Sequence, residues 1–265
     1  MKLLIACPSK GRVDKLELNT WGWLKYTKFP FKFFVEEQDF PDYKSLLGER
    51  NLVVLPESDK GLWYAKKQIQ KYGIENGYDY LFKLDDDVQS WRDPSNRGLG
   101  KDAPKRTKEY RCEHLFEPII KNSIELLNAN NWLIGAISLM YGNDMKSFTG
   151  EKWIGINKRL QSCYIIKTEL FVPDDYPNFQ GSYEDFVTFF NIVKKQYFTV
   201  RYGLTGMDVQ PVGKNKGGCQ SFDRRQGAKQ EMDYLLKYFP EIIWKPVQGK
   251  NWDFEPDFRK LKQIL

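Results

Sequence analysis

The chain has 265 residues, of which 41% are hydrophobic and 29% charged. This composition indicates a folded globular protein and excludes an intrinsically disordered one. Lys and Arg total 41 against 35 Asp and Glu, and the resulting net charge of +6 favours an anionic partner. No apolar run approaches the roughly 18 residues that span a bilayer, and the four scattered cysteines lack the spacing of a zinc or disulfide framework. We therefore expect a cytoplasmic protein in a reducing compartment, with no membrane partner.

The first half of the chain alternates short apolar runs with helical patterns. The predicted strands are Leu3–Cys7, Phe31–Val35, Leu52–Leu55 and Tyr80–Leu84, and the predicted helices are Asp14–Tyr26, a short one beginning near Asp39, and Leu62–Tyr72. This alternation predicts an α/β fold of βαβ units with a mostly parallel central sheet flanked by helices. In such sheets ligands bind beyond the carboxyl ends of the strands, where Pro8–Arg12 and Asp85–Asp87 fall.

The second half begins with a basic segment and returns to strands and helices. Ser90–Arg111 contains prolines and glycines among seven Lys and Arg residues, and it is either a solvated surface loop or an anion-binding one. Glu113–Asn130 is predicted to be an amphipathic helix. Further strands are predicted at Trp132–Met140, Gln161–Ile166 and Tyr197–Val200, and a helix at Tyr183–Val193. With no repeat and no low-complexity linker, residues 1–265 are expected to form one domain.

Three consecutive carboxylates, Asp85, Asp86 and Asp87, follow the predicted strand Tyr80–Leu84. Crowded acidic side chains repel one another unless a positive charge lies between them. A hard divalent cation with oxygen ligands would satisfy them and leave room for substrate phosphates. The alternative is a solvated acidic turn in which Asp87 caps the next element.

A second acidic element, Glu184-Asp185, precedes the apolar run that begins at Phe186. Acidic residues in the first turn of a helix stabilise its dipole without any further role. A strand that ends in aspartates, followed about a hundred residues later by a Glu-Asp helix start, is a less common combination and favours a functional role.

These motifs together resemble the GT-A-fold glycosyltransferases, from Leu3 to about Gly218. The resemblance rests on the opening segment Ile5–Arg12, the helix start Gly61–Lys67, the acidic motif Leu84–Asp87 and the segment Tyr183–Asp185. It implies a GT-A single domain, Rossmann-like, with a nucleotide-sugar-binding half at about residues 1–110 and an acceptor-binding half with a C-terminal extension at about 111–265. It also implies a nucleoside-diphosphate sugar donor, a UDP-sugar in particular, and a divalent metal, Mn²⁺ or Mg²⁺.

The resemblance also assigns roles to individual residues. Asp185 is the general base, with Glu184 beside it, and Asp87 binds the metal together with Asp85, which lies near the donor ribose. Other donor-binding residues implied by the family are Pro8, Ser9, Arg12, Gly61, Lys66, Asp86, Lys214, Lys216 and Gly217. The last three lie in a Lys/Gly-rich loop, for which a plain surface loop is the alternative.

The chain departs from the family in its candidate metal ligands. Many members supply a late histidine as a further metal ligand, and the only histidine here, His114, stands at a helix start. Asp208 or a water molecule could take that position instead.

Among these enzymes the chain most resembles the phage-type DNA hydroxymethylpyrimidine glycosyltransferases, which are related to the TET-associated glycosyltransferases. That resemblance implies a DNA acceptor, and a host-cell cytoplasmic location if the chain is of phage origin. The excess of Lys and Arg over Asp and Glu suits contacts with DNA phosphates, and aromatic side chains can stack on exposed bases. The candidates are Trp153, Tyr183 and Arg97 for acceptor binding, with Trp91 and Tyr141 as further rings that could stack. Core packing is the alternative for every ring.

Two other functions stay open from the sequence. The first is the same enzyme class with a saccharide, lipid-linked or protein acceptor. The second is a non-catalytic protein that binds nucleotide sugars, which the presence of Asp85, Asp87, Glu184 and Asp185 disfavours. Treating Asp185 as the base implies inversion at the anomeric carbon.

Overall fold

The computed structural model describes most of the first 209 residues and four short stretches after them. The described residues are 2–93, 104–129, 133–141, 154–156, 160, 163–176, 184–209, 230, 233–240, 244–246 and 254–256. In this part of the chain, no helix is both long enough and apolar enough to cross a bilayer.

The first four strands form the parallel half of the central sheet, in the order β3-β2-β1-β4. Their bounds, with those of the intervening helices, are β1 Leu3–Pro8, α1 Val13–Leu16, α2 Thr20–Leu24, β2 Phe31–Val35, α3 Phe40–Leu47, β3 Leu52–Val54, α4 Gly61–Glu75 and β4 Tyr80–Lys83. The helices connect parallel strands, as the alternation in the sequence predicts: α1–α2 and α3 lead to adjacent strands, whereas α4 leads from the edge strand β3 across to β4. The β1–β4 pairing brings together the two loops that follow these strands.

The second half continues the same sheet with mixed strand directions. Its elements are β5 Val88–Arg92, α5 Lys108–Arg111, α6 Glu117–Asn128, β6 Ile134–Tyr141, β7 Ile154–Ile156, β8 Tyr164–Lys167, α7 Glu184–Lys194 and β9 Phe198–Val209. The nine-stranded sheet has the order β3-β2-β1-β4-β8-β6-β9-β5, and β7 pairs with β9. From the pairings, β6 and β9 run in the same direction as β1–β4, whereas β5, β7 and β8 run in the opposite direction.

The described structure also contains short elements outside this sheet. A π-helical turn at Cys112–Phe116 joins α5 to α6, and β10 Trp244–Pro246 pairs with β11 Phe254–Pro256 in a separate antiparallel ribbon. Residues 233–238 are helical. The expected α/β class with a mostly parallel mixed sheet is confirmed.

Each face of the sheet carries its own hydrophobic core, because successive side chains of a strand point to opposite faces. In β4, Tyr80 and Phe82 pack with Trp23, Trp91 and Phe116 on one face. Leu81 points to the other face, where it packs with Trp63, Ile69, Tyr164, Phe186 and Phe190. Helices α4 and α7 therefore cover one side of the strand that ends at the acidic motif.

The predicted helix Asp14–Tyr26 is wrong as a single helix, because the chain breaks between α1 and α2. Asn19 has φ −107° and ψ −132°, which is not helical. The chain also packs tightly there: a Cβ on Gly22 would lie only 1.9 Å from the backbone oxygen of Glu17. Only glycine fits at this close approach.

The prediction of a loop over Ser90–Arg111 is wrong at both ends of that segment. Trp91 lies in strand β5, paired with Met207 of β9, and residues 108–111 form α5. Thr107 caps α5 by accepting a hydrogen bond from the Tyr110 backbone at 3.1 Å. The central residues 94–103 of the segment lie outside the described residues.

Candidate active site

The acidic motif and the loop after β1 lie side by side at the carboxyl edge of the parallel strands. Ala6 of β1 is paired with Lys83 of β4, and the Leu84 backbone donates to the Ala6 carbonyl at 3.0 Å. The segments Pro8–Arg12 and Asp85–Asp87 begin immediately beyond this pairing. The expected position of both segments at the carboxyl edge of the parallel strands is confirmed, and their ligand-binding role stays a prediction.

Asp86 points into the protein and binds the first loop. It is 5% exposed, and the Ser9 hydroxyl donates to its Oδ2 at 2.5 Å. Arg12 Nη1 donates to its other oxygen, Oδ1. Burial raises the pKa of Asp86, while the Arg12 guanidinium and the Ser9 hydroxyl act in the opposite direction. A direct contact of Asp86 with a donor stays a prediction, because in this structure its carboxylate contacts the loop.

Asp85 and Asp87, the neighbours of Asp86, are half-buried. Thr20 fixes the backbone of the motif, because its hydroxyl donates to the Asp85 carbonyl at 2.8 Å and accepts from the Val88 backbone at 3.1 Å. Asp87 Oδ2 lies 3.8 Å from Arg12 Nη1. The motif therefore presents two partly accessible carboxylates around one inward one.

This arrangement fits a hard divalent cation. Carboxylate oxygens suit Mg²⁺ and Mn²⁺, and such ions are often held by one or two carboxylates with water and substrate phosphates as further ligands. The nearby thiols do not fit, because Mg²⁺ and Mn²⁺ prefer oxygen ligands and Cys7 and Cys163 are fully buried. No three His, Cys, Asp or Glu side chains converge as a metal centre within the described residues. Among the described residues of this edge, Asp85 and Asp87 are the two partly accessible carboxylates of the motif that could hold such a cation.

Polar contacts, some of them to Glu36, also connect the loops after β1, β2 and β3, which the sequence alone did not indicate. Glu36 directly follows β2 and is 5% exposed. It forms a 2.8 Å ion pair with Lys10 and accepts from the Asp59 backbone at 3.0 Å. In addition, the Gly11 backbone donates to Asp39 at 2.9 Å. In the sequence, the only signal for this role of Glu36 was its position at the end of a strand. The contacts hold the β1 loop from the β2 side, whereas Asp86 holds it from the β4 side.

Two lysines are buried on the α4 side of the acidic motif. Lys66 of α4 and Lys83 of β4 are each 1% exposed, and their Nζ atoms lie 5.6 and 6.0 Å from the centre of the Tyr164 ring. Lys83 also donates to the Tyr176 hydroxyl. Gly61 begins α4 with φ 83°. Donor contacts of Lys66 and Gly61 stay predictions, and Lys83 is a charged core residue that the sequence analysis did not single out.

Asp185 lies in the first turn of α7, as predicted. It is 7% exposed, and its Oδ1 accepts a hydrogen bond from the Phe186 backbone at 3.0 Å. Glu184 begins the helix. A helix start that carries a nearly buried carboxylate is compatible with both interpretations made from the sequence, a base and a dipole-stabilising residue.

The structure corrects one proposed stacking residue. Trp91 is fully buried, with ring centres 5.2 Å from Trp23 and 5.0 Å from Phe116. It therefore belongs to the core and cannot stack on an acceptor base.

The alternative metal ligand Asp208 is engaged elsewhere. Arg92 Nε donates to its Oδ1 at 2.7 Å, and Ser90 donates to its Oδ2 at 3.2 Å. His114 lies in the π-helical turn beside the Tyr110 ring, with 54% of its side chain exposed, which agrees with a helical surface role.

Several predicted site residues lie outside the described residues. They are Lys214, Lys216 and Gly217 of the late loop, and Trp153, Tyr183 and Arg97 of the acceptor set. The side chains of Glu184 and Tyr141 are likewise outside the described part. Their roles stay predictions.

A family model for the TET-associated glycosyltransferases matches residues 3–218, which is most of the chain. The chain belongs to this family. It is accordingly a glycosyltransferase, as the acidic motif and the Glu-Asp helix start suggested. A comparison with curated proteins finds no match.

Solved structures match this chain at low sequence identity. Glucosyl-3-phosphoglycerate synthase from Mycobacterium tuberculosis, in complex with Mn²⁺, UDP-glucose and glycerol 3-phosphate, matches with a TM-score of 0.50 and 14% identity over 96% of this chain and 86% of its own. S. aureus TarS 1-349 matches with a TM-score of 0.49 and 13% identity, over 78% of this chain and 59% of that one. The match to the M. tuberculosis synthase shows that the TET-associated glycosyltransferase described here has the GT-A fold of nucleotide-sugar transferases.

Proposed function

We propose that this TET-associated glycosyltransferase transfers a sugar from a UDP-sugar to the hydroxymethyl group of a modified pyrimidine in DNA. The observation that carries the proposal is the position of Asp85 and Asp87. They lie at the carboxyl end of β4, directly beside the β1 loop, in a chain whose family match extends through Asp185. This places the two carboxylates where open α/β sheets bind ligands.

On the donor side, the β1 loop and the acidic motif would hold the nucleotide and its diphosphate. The loop is fixed by Asp86 and Glu36 before any ligand arrives, so little ordering would be needed on binding. A divalent cation held by Asp85 and Asp87 would offset the negative charge that develops on the departing diphosphate. The solved M. tuberculosis synthase of the same fold, which contains Mn²⁺ and UDP-glucose, supports this choice of donor and metal.

On the acceptor side, Asp185 would take the proton from the hydroxyl that attacks the sugar. A base must lie within hydrogen-bond reach of that proton. A carboxylate suffices because the anomeric carbon becomes strongly cationic in an oxocarbenium-like transition state. Attack opposite the leaving diphosphate inverts the anomeric centre, and Asp185 would hold the proton at its carboxylate.

The DNA acceptor is supported by the family and by charge. The net charge of +6 suits a polyanionic partner, although it is modest. A base within a duplex would have to be flipped out to reach a site at the edge of the sheet, whereas a single-stranded base would not.

One experiment separates the acceptor classes. The purified protein is incubated with Mn²⁺, a panel of UDP-sugars and DNA that contains hydroxymethylcytosine or hydroxymethyluracil, and the DNA is digested to nucleosides for mass spectrometry. We expect a hexose or pentose mass increment on one modified nucleoside and none on unmodified cytosine or thymine. An increment found only on a glycan, lipid or protein added in parallel would refute the DNA acceptor and leave the enzyme class intact.

A further inference from the structure

Arg12 places a positive charge inside the acidic motif. Its Nη1 donates to Asp86 Oδ1 and lies 3.8 Å from Asp87 Oδ2. The side chain is 17% exposed, so solvent screens these contacts only in part. Arg12 therefore pairs with Asp86 and lies within ion-pair distance of Asp87.

The position of Arg12 is fixed at both ends of the residue. Its backbone N–H donates to the Tyr43 hydroxyl at 3.1 Å, and Tyr43 is hydrogen-bonded to Ser9 at 2.7 Å. Its guanidinium is held by Asp86, which is buried and also bonded to Ser9. Because these groups are buried, the guanidinium is kept beside Asp87 rather than sampling solvent.

We infer that Arg12 is a resident counter-charge for Asp87, which lowers the affinity of the nucleotide-free enzyme for a divalent cation. Asp86 is then a positioning residue, which acts on the metal through Arg12. The inference rests on the proposed metal-binding role of Asp87 and deepens it. It assigns the buried middle aspartate and the arginine of the first loop a shared task in setting metal affinity.

The physical reason is the repulsion between like charges. Without a cation, neighbouring carboxylates at this edge repel one another, and a guanidinium relieves that repulsion. A cation that binds Asp87 must then share the carboxylate with Arg12 and accept a positive neighbour. Charges a few ångström apart near a protein surface interact strongly enough to change an affinity several-fold.

A purely structural role for Arg12 makes a different prediction. If Arg12 only attaches the β1 loop to the motif, loosening either partner should disorder the site, and metal binding should weaken in both cases. If Arg12 is a counter-charge, its removal should strengthen metal binding. Asp86→Asn should weaken it, because that change removes a negative charge and releases Arg12 towards Asp87.

The test is a titration of the full chain with Mn²⁺ in the absence of nucleotide, with free Mn²⁺ measured by electron paramagnetic resonance. We expect Arg12→Gln to bind Mn²⁺ roughly fivefold or more tightly than the wild type. Arg12→Lys, which keeps the charge, should stay closer to the wild type. Arg50→Gln is the matched control, since Arg50 lies just before β3 at the opposite edge of the sheet, and its affinity should be unchanged.

Arg12→Gln leaves the buried Asp86 carboxylate without its ionic partner, and this variant could fail to fold. A second pair of variants keeps the test valid in that case. Arg12→Gln/Asp86→Asn removes both charges and should bind Mn²⁺ roughly fivefold or more tightly than Asp86→Asn alone. Unchanged or weaker binding in both comparisons would overturn the inference. If the inference fails in this way but the wild type binds Mn²⁺ and Asp87→Asn does not, the proposed metal-binding role of Asp87 is retained. If none of these proteins binds Mn²⁺, the proposed metal role and the inference are both wrong.

Discussion

Replacing Ser9 with alanine should destabilise the protein well beyond the effect of an ordinary serine substitution. The Ser9 hydroxyl is buried, donates to Asp86 at 2.5 Å and is bonded to the Tyr43 hydroxyl at 2.7 Å. Its loss leaves a buried carboxylate with fewer donors, and a buried charge that loses a partner is costly.

The magnitude follows from these two contacts. A hydrogen bond to a charged group contributes about 1.5–3 kcal/mol, and a neutral one about 1 kcal/mol. Ser9 is only 6% exposed, so little solvent screening reduces these values. We expect the free energy of unfolding to fall by about 2–4 kcal/mol. In a chain of this size that corresponds to a melting temperature lower by roughly 5–15 °C.

Urea unfolding followed by circular dichroism measures this change directly. Ser45→Ala, on the exposed side of α3, is the matched control and should leave the free energy of unfolding unchanged or slightly higher. In an Asp86→Asn background the cost of Ser9→Ala should fall to about 1 kcal/mol, because the charged acceptor is gone. A loss below about 0.5 kcal/mol in the wild-type background would refute the assigned network.

Three further outcomes are expected. Asp185→Asn should lower sugar transfer by about 100-fold or more while UDP binding is retained, whereas exposed Asp233→Asn should leave both transfer and UDP binding unchanged; normal transfer by Asp185→Asn would rule out the base assignment. Gly22→Ala should cost about 3 kcal/mol in urea unfolding, because a Cβ there meets the Glu17 carbonyl at 1.9 Å, and a neutral result would contradict this packing. Burial raises the pKa of Cys112 from 9.0 to about 12, so between these pH values the unfolded thiol loses its proton while the folded one keeps it. The free energy of unfolding should therefore fall as pH rises through this range. It should fall by about 1.4 kcal/mol per pH unit more in the wild type than in Cys112→Ala, and equal pH dependence in the two proteins would contradict the burial of Cys112.

The positions of most elements could be predicted from the sequence, because apolar periodicity reports which face of a strand or helix is buried. Strands β1 to β4, the amphipathic helix α6 and the helix start at Glu184 all lie close to their predicted positions. The break between α1 and α2 could not be predicted, since it depends on the close approach of Gly22 to Glu17. Strand β5 was missed because its pairing partner, β9, lies more than a hundred residues away.

For the candidate site, too, some features could be predicted from local sequence and others depend on contacts between distant residues. The sequence predicted that the acidic motif and the β1 loop bind ligands at the same edge, and the sheet places the two segments side by side. It left Trp91 either stacking on an acceptor base or packing in the core, and the contacts with Trp23 and Phe116 make it part of the core. Residue type reports what a side chain can do, but exposure depends on neighbours that are distant in the chain.

By itself, the sequence determined the fold class, the family resemblance and the edge of the sheet at which the carboxylates gather. These features follow from local patterns: apolar alternation within a strand and polar residues where the strand ends. Only the tertiary structure decided that Asp86 turns inward while Asp85 and Asp87 remain partly accessible. That difference depends on Ser9 and Arg12, which approach Asp86 across more than seventy residues of chain because β1 pairs with β4.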